Sequence, residues 1–358
     1  MTKKKGLIML LITGGVIGLL AIVLMKFGNP ANMGVCVACF LRDTAGALGL
    51  DSADKVQYIR PEIIGFILGA FILAVGRKEF KPTGGSSPLL RFFIAFFVMV
   101  GALVFLGCPL RMVLRLAAGD LNALAGLFGF VAGIAVGAVF LKKGFSLGRA
   151  VSQPKASGFI MPVFAIALLV FLLVRPAFIK FSAEGPGSMA APIALALVVG
   201  LVIGGLAQQS RMCMAGGIRD LMLIKKPNLL YGYCAVFVVA LIANIVVGNF
   251  HLGFEGQPIA HTNFVWNFLG MALVGYGSTL IGGCPLRQII MAGEGNADSA
   301  ICIFGMIIGA ATAHNFGLAA SADGVPVNGQ IAVIIGFVVL TLIAVLNTST
   351  VKGLKAAA

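Results

Sequence analysis

The sequence has 358 residues, 59% apolar and only 11% charged, with a formal net charge of +14 and a mean hydropathy of +1.05. A water-soluble domain carries about 25% charged residues, so this composition excludes a soluble fold and leaves an integral membrane protein. The useful unit is then the apolar stretch of about 20 residues that crosses a bilayer.

In chain order, Lys3, Lys4 and Lys5 precede an apolar run with no small-residue cleavage site before Lys26, which reads as a retained first helix over 6–27. Further spans are expected over 60–76, 91–107, 121–141, 157–178, 190–207, 230–249, 264–283, 298–316 and 329–347, about ten in all. Several are short for a perpendicular crossing, which points to broken helices continued by the segments that follow.

With the N-terminus inside, the segments expected on the cytoplasmic side hold 18 of the 26 Lys and Arg, among them Arg77, Lys78, Lys81, Lys142, Lys143, Arg211, Lys225, Lys226, Arg287, Lys352 and Lys355. The loops near 250–263 and 317–328 hold none, as the positive-inside rule requires of outer loops. Topology therefore accounts for the basic charge, and no nucleic-acid partner is implied.

An internal repeat emerges when the chain is slid against itself by 176 or 177 positions. Cys36 then falls on Cys213, Arg42-Asp43 on Arg219-Asp220, and Gly107-Cys108-Pro109-Leu110-Arg111 on Gly283-Cys284-Pro285-Leu286-Arg287. The register continues through Gly119 and Gly295 to Gly133 and Gly309. Each copy holds four spans, and the span over 157–178 between them makes the second copy enter from the opposite side. The expected fold is thus an all-α integral membrane protein of two inverted repeats, with re-entrant half-helices. The expected units are a first repeat over 1–144, a linker and connecting helix over 145–182, a second repeat over 183–318, and a last helix with a cytoplasmic tail over 319–358. Such a pseudo-two-fold places a site near the midplane, reachable from either face.

In the Gly-Cys-Pro-Leu-Arg motif, Gly permits a sharp turn and Pro suits the first position of a new helix, so one span stops and another helix starts at Cys108 and at Cys284. A cysteine there feels the positive end of the helix dipole, and Arg111 and Arg287 one turn on reinforce the attraction for anions. The stretches around Cys36 and Cys213 are too short and polar to span and read as re-entrant segments. Cys234 and Cys302 have no repeat mate and read as apolar filler. Arg42-Asp43 and Arg219-Asp220 read first as structural ion pairs.

Cys36 and Cys39 form a C-x-x-C, but Gly216 replaces the second cysteine in the other copy, so neither a metal nor a cofactor is expected. Glu62, Asp120, Glu294 and Asp298 lie at expected helix ends and read as caps, with proton coupling as the alternative. His251 and His261 belong to an outer loop, and Trp266 to a membrane interface.

The duplicated Cys-Pro-Leu-Arg and the cysteine in each re-entrant segment resemble the YeeE/YedE family over nearly the whole chain. The segments Val35–Asp43 and Gly107–Met112 are most similar to the YedE branch linked with selenium metabolism. The resemblance implies thiosulfate-type uptake through an hourglass, with Cys108 and Cys284 at the constriction and Cys36 and Cys213 beside them. Its thiols would hydrogen-bond a small anionic or soft chalcogen substrate, a selenium compound or a thiosulfate-like anion. Arg111 and Arg287 complete the expected substrate path, with Cys39, Arg42 and Arg219 as accessory candidates.

The resulting expectation is a non-enzymatic uptake transporter of a bacterial inner membrane with both termini cytoplasmic, working with the lipid bilayer and a cytoplasmic sulfur or selenium carrier protein. Two alternatives stand beside it. One is a membrane thiol-disulfide oxidoreductase using Cys36 and Cys39, and the other an accessory subunit of selenium or sulfur metabolism.

Overall fold

The computed structural model describes residues 3–348, so the C-terminal tail with Lys352 and Lys355 lies outside the described residues. Fifteen α-helices follow in order: α1 (Lys3–Lys26), α2 (Val37–Ala47), α3 (Pro61–Gly76), α4 (Pro88–Phe105), α5 (Pro109–Ala117), α6 (Asn122–Lys142), α7 (Lys155–Gly158) and α8 (Ile160–Val174). The second set is α9 (Ile193–Ser210), α10 (Met214–Ile224), α11 (Asn228–Val246), α12 (Phe264–Leu280), α13 (Pro285–Gly293), α14 (Ala297–Asn315) and α15 (Val327–Leu346). The described residues add one two-stranded antiparallel ladder, β1 (Thr83–Gly84) with β2 (Val151–Ser152).

The chain marks many of these boundaries chemically. Proline opens α3, α4, α5 and α13, where its missing N–H has no helical partner to lose. Left-handed residues close α4, α8, α9 and α10 at Leu106, Arg175, Arg211 and Lys225.

Among the described residues, nine helical segments are long and apolar enough to cross a membrane, and the fold is that of a multi-span all-α membrane protein. The helix expected over 157–178 is shorter than its apolar run. α8 holds 15 residues and stops where Arg175 takes a left-handed conformation, so it rises about 22 Å at 1.5 Å per residue and is short of a full crossing. Three of the nine are broken rods: 88–117, 193–224 and 264–293 each join a long helix to a half-helix of 9 to 11 residues.

The helices α1 to α6 correspond in order and kind to α9 to α14, and the packing exchanges them. α1 lies along α11, with Gly14 on Gly232 and Gly18 on Val236, a parallel pair. The counterpart is α3 along α9, with Gly65 on Gly200 and Gly69 on Leu201. α12 runs parallel to α6, Gly129 meeting Phe268 and Gly133 meeting Ala272, just as α4 runs along α14 through Phe92 on Gly305 and Phe96 on Gly309. Across the middle, the equivalent helices α4 and α12 cross antiparallel, Gly101 on Gly270 and Ile94 on Gly277. Antiparallel equivalents and parallel exchanged partners are what an inverted repeat produces. Each set therefore buries its faces mainly against the other.

Basic loops gather at one end. Lys81 N–H donates to Glu294 carbonyl at 3.2 Å, Ser146 N–H to Asn347 carbonyl at 3.2 Å, and Gln208 Nε2 to Glu79 Oε2 at 2.8 Å. Arg287, expected in a cytoplasmic segment, instead sits buried within α13 and pairs with Glu294 at 3.0 Å. The short turn after α5 meets the loop after α11 at the opposite end, where Leu121 N–H donates to Gly253 carbonyl at 3.0 Å.

Close helix approach explains much of the glycine content. A Cβ on Gly133 would stand 1.9 Å from the Ala272 carbonyl oxygen, whereas one on Gly76 would meet nothing within 4 Å. Gly133→Ala is expected to lower stability by about 1–3 kcal/mol through forced helix separation, while Gly76→Ala holds or gains stability. Thermal unfolding of both variants in detergent checks this, and equal melting temperatures would contradict the packing.

Candidate functional site

Four half-helix N-termini meet in two pairs at the centre of the chain's cysteine pattern. Cys36 is the N-cap of α2, and its sulfur accepts the Cys39 N–H at 3.2 Å. Cys213 does the same for α10, accepting the Gly216 N–H at 3.2 Å. Cys108 and Cys284 are the N-caps of α5 and α13, yet neither side chain closes a cap hydrogen bond. The N–H groups of those first turns are oriented outward from the helix ends, the arrangement that receives anions elsewhere in proteins.

The pairing follows the repeat. Cys36 and Cys108 lie close enough for their side chains to interact. Cys213 and Cys284 stand 3.8 Å apart, sulfur to sulfur, and the Cys284 N–H donates to Cys213 Sγ at 3.5 Å. All four are buried, with Cys213 the most exposed at 5%. Tyr233 on α11 adds its hydroxyl 3.9 Å from Cys284 Sγ.

The glycine of each motif makes room for the arginine. A Cβ on Gly107 would come 2.9 Å from Arg111 Cδ, and one on Gly283 would come 3.0 Å from Arg287 Cγ. Arg111 folds back over the break and donates to the Leu106 carbonyl, to Asn32 carbonyl at 3.0 Å and to Ile259 carbonyl at 3.2 Å, with Cys39 Sγ 3.5 Å from Nη1. No ion pair to Arg111 is found among the described residues. Arg287 instead spends both its terminal nitrogens on Glu294, at 3.0 and 3.3 Å, and Gln288 takes over the carbonyls of Ile281 and Gly283.

This makes the two ends of the site electrostatically unequal. Beside the first cysteine pair, Asp43 is shared by Arg42 at 2.6 Å and Arg60 at 2.6 Å, and Arg111 carries a further unpaired positive charge. Beside the second, Arg219 has Asp220 at 2.8 Å and Arg287 has Glu294, so each cation is matched. In a low-dielectric interior, an uncompensated arginine is costly.

Of the residues singled out from sequence, Cys36, Cys39, Cys108 and Arg111 come together, as do Cys213 and Cys284. Arg42 pairs beside them, while the side chains of Arg219 and Arg287 turn to their carboxylates. Cys234 faces outward, and Cys302 is buried with its sulfur 3.9 Å from the Arg91 carbonyl. His261 is buried rather than free in its loop and bonds the Val104 carbonyl at 2.8 Å. Sequence reasoning passed over Tyr233 and Arg115. A tyrosine deep in an apolar helix needs a polar partner, and that was the available signal. Arg115, one turn beyond Arg111, holds Asp120 at 2.6 Å and the Phe105 carbonyl at 2.8 Å.

Burial predicts reactivity. Brief treatment of native membranes with N-ethylmaleimide is expected to modify Cys234 first, with all seven cysteines reacting after denaturation in SDS. Mass spectrometry of the adducts reads this, and rapid native labelling of Cys302 or Cys39 would contradict the packing.

Residues 209–355 match the family model described as sulphur transport. A 112-residue stretch is 30% identical to the thiosulfate transporter TsuA of Escherichia coli (strain K12), and the alignment covers 30% of this chain and 30% of that relative's length. The matched family region carries the second Cys-Pro-Leu-Arg, and the exchange-symmetric packing repeats its elements in the first half. The second half of the chain is thus similar to sulphur-transport membrane proteins, and the chain spans about a third of the length of the relative it matches.

Proposed function

We propose that this protein is an uptake transporter for a small sulfur-containing anion of the thiosulfate type, passing it along Cys36 and Cys108, then Cys213 and Cys284. The observation that carries this reading is the pairing of buried thiols at four half-helix N-termini, with Arg111 free of an ion pair beside one of the pairs. Thiosulfate has a soft terminal sulfur and a hard sulfonate end. Polarisable S–H groups suit the first, and backbone N–H groups with a guanidinium suit the second. Selenium analogues share that chemistry, and the extra thiol of Cys39 next to Arg111 favours including them as substrates.

The two repeats, 1–144 and 183–318, act as exchangeable halves around this line, joined by 145–182 and completed by 319–358. Inverted halves give one site two symmetry-related exits, which suits alternating access. The family and its relative are transporters, and we read this chain the same way rather than as a thiol oxidoreductase. In a bacterial inner membrane the basic end faces the cytoplasm. There a cavity of ≈ 450 Å³ opens beside Ser210, Arg211, Lys226 and Asn228, three residues or fewer before Cys213 on one wall. Its basic rim suits release of the anion to a cytoplasmic sulfur carrier protein.

Uptake of radiolabelled thiosulfate and selenite by cells expressing the chain tests the reading. Wild type is expected to accumulate thiosulfate, Cys108→Ala and Cys284→Ala to fall to background while still folding, and Cys234→Ala to match wild type. Undiminished uptake in both motif variants would overturn the cysteine path, and selenite uptake without thiosulfate uptake would reassign the substrate.

A further inference from the structure

Glu62 is the membrane acid that the site above does not use. It sits at the second residue of α3, 1% exposed, directly after Pro61. Its Oε1 accepts from Asn29 Nδ2 at 2.6 Å, and its Oε2 has no hydrogen-bond partner. The other acids in the membrane helices or at their ends each hold a cation, whereas Asp51, in the loop after α2, is buried with one unpartnered oxygen of its own. Asp43 has Arg42 and Arg60, Asp120 has Arg115, Asp220 has Arg219, Glu294 has Arg287, and Asp298 has Arg91. Among the described residues Glu62 has none.

Nothing packed against it can supply one. α8 and α9, which lie against α3, contain no titratable residue, and α9 sets Gly200 on the Glu62 backbone. α2 offers Asp43 and Arg42, already paired, and α13 offers Arg287, held by Glu294. Arg60, two residues away, donates to Asp43 and to the carbonyls of Met189 and Pro186. Tyr58 is the remaining neighbour within electrostatic range. A buried carboxylate with a bare oxygen and no cation is far costlier than a buried carboxylic acid.

Asn29 links this group to the cysteine line. The same Nδ2 that holds Glu62 also donates to the Gly34 carbonyl at 3.1 Å, two residues before Cys36, and Asn29 Oδ1 accepts the Ala191 N–H at 2.9 Å. A charge on Glu62 is therefore tied to the backbone that positions the first thiol pair.

We propose that Glu62 is a proton-binding site that couples proton entry to anion entry, a step that rests on the transport function proposed above. In the occluded form it is a neutral acid. Its proton is taken up from the same side as the anion and released to the other. A dianion entering against an inside-negative potential is opposed by the field, and each proton carried with it cancels one charge. Coupling is reciprocal, so a dianion bound near Cys36 favours the protonated acid, and the protonated acid favours the dianion.

The test uses the purified full-length protein in liposomes containing a trapped pH dye, with thiosulfate added outside. Wild type is expected to acidify the lumen on thiosulfate addition. An outside pH one unit lower should raise thiosulfate accumulation by up to about tenfold for one proton per anion. Glu62→Gln should lose both responses while still exchanging internal for external thiosulfate without a gradient. Thiosulfate uptake with no proton movement in wild type, or an unchanged gradient response in Glu62→Gln, would overturn the proposal. Infrared spectroscopy of the wild type separates this from the transport reading. A carboxylic-acid carbonyl band at neutral pH, missing in Glu62→Gln, is expected even if the anion is not thiosulfate, and its absence overturns the protonated site by itself. Liposomes that show the band but move no thiosulfate overturn the coupling together with the function.

Discussion

In a bilayer core each backbone N–H and C=O must find a partner within the protein, because no water reaches it. A helix that stops halfway violates this at both sides of the break, and the whole arrangement of this chain follows from making four such stops tolerable. At the first Cys-Pro break, Arg111 and Arg115 hold the carbonyls of Leu106 and Phe105. At the second, Gln288 holds those of Ile281 and Gly283. The carbonyl side of each break is thus satisfied by a side chain reaching back from the next helix. On the N–H side, sulfur accepts from Cys39, Gly216 and Cys284.

Two copies of one architecture have diverged where charge is concerned. The shared parts are the break, the cysteine N-cap and the small residues that bring parallel helices into backbone contact. The differing parts are the counter-charges. Glu294 neutralises Arg287, whereas its positional counterpart leaves Arg111 to carbonyls and Cys39. The first cysteine pair thus lies beside a positive charge and the second beside matched ones. Under the function proposed above, unequal binding at two stations would favour movement of the anion over storage, as multi-site pores require.

Much of this was legible in the chain. The register of Cys36 on Cys213 and of the two Gly-Cys-Pro-Leu-Arg motifs located the breaks, because Gly and Pro act locally and leave their mark on neighbouring residues. The adjacent Arg42-Asp43 and Arg219-Asp220 pairs were readable for the same reason. What was not readable depends on distant residues. The unequal fates of Arg111 and Arg287 hinge on whether a carboxylate folds near them, and identical local motifs carry no sign of it. That Glu62 has no ion-pair partner among the described residues reflects α8 and α9, which carry no titratable group, and Arg60, which is held by Asp43 and the Met189 and Pro186 carbonyls, so a helix-end acid looked like a cap. The shortness of α8 reflects a left-handed Arg175 that hydropathy does not register.

In the function proposed above, an anion with a soft chalcogen end sits between thiols at the half-helix N-termini. Anomalous scattering from a crystal grown with selenosulfate tests this most directly, since selenium replaces the terminal sulfur and can be located by itself. A selenium peak is expected among Cys36, Cys108 and Cys284, with the sulfonate oxygens toward Arg111 and the α5 N–H groups. A well-occupied peak elsewhere in the protein, with both cysteine pairs still closed, would contradict it.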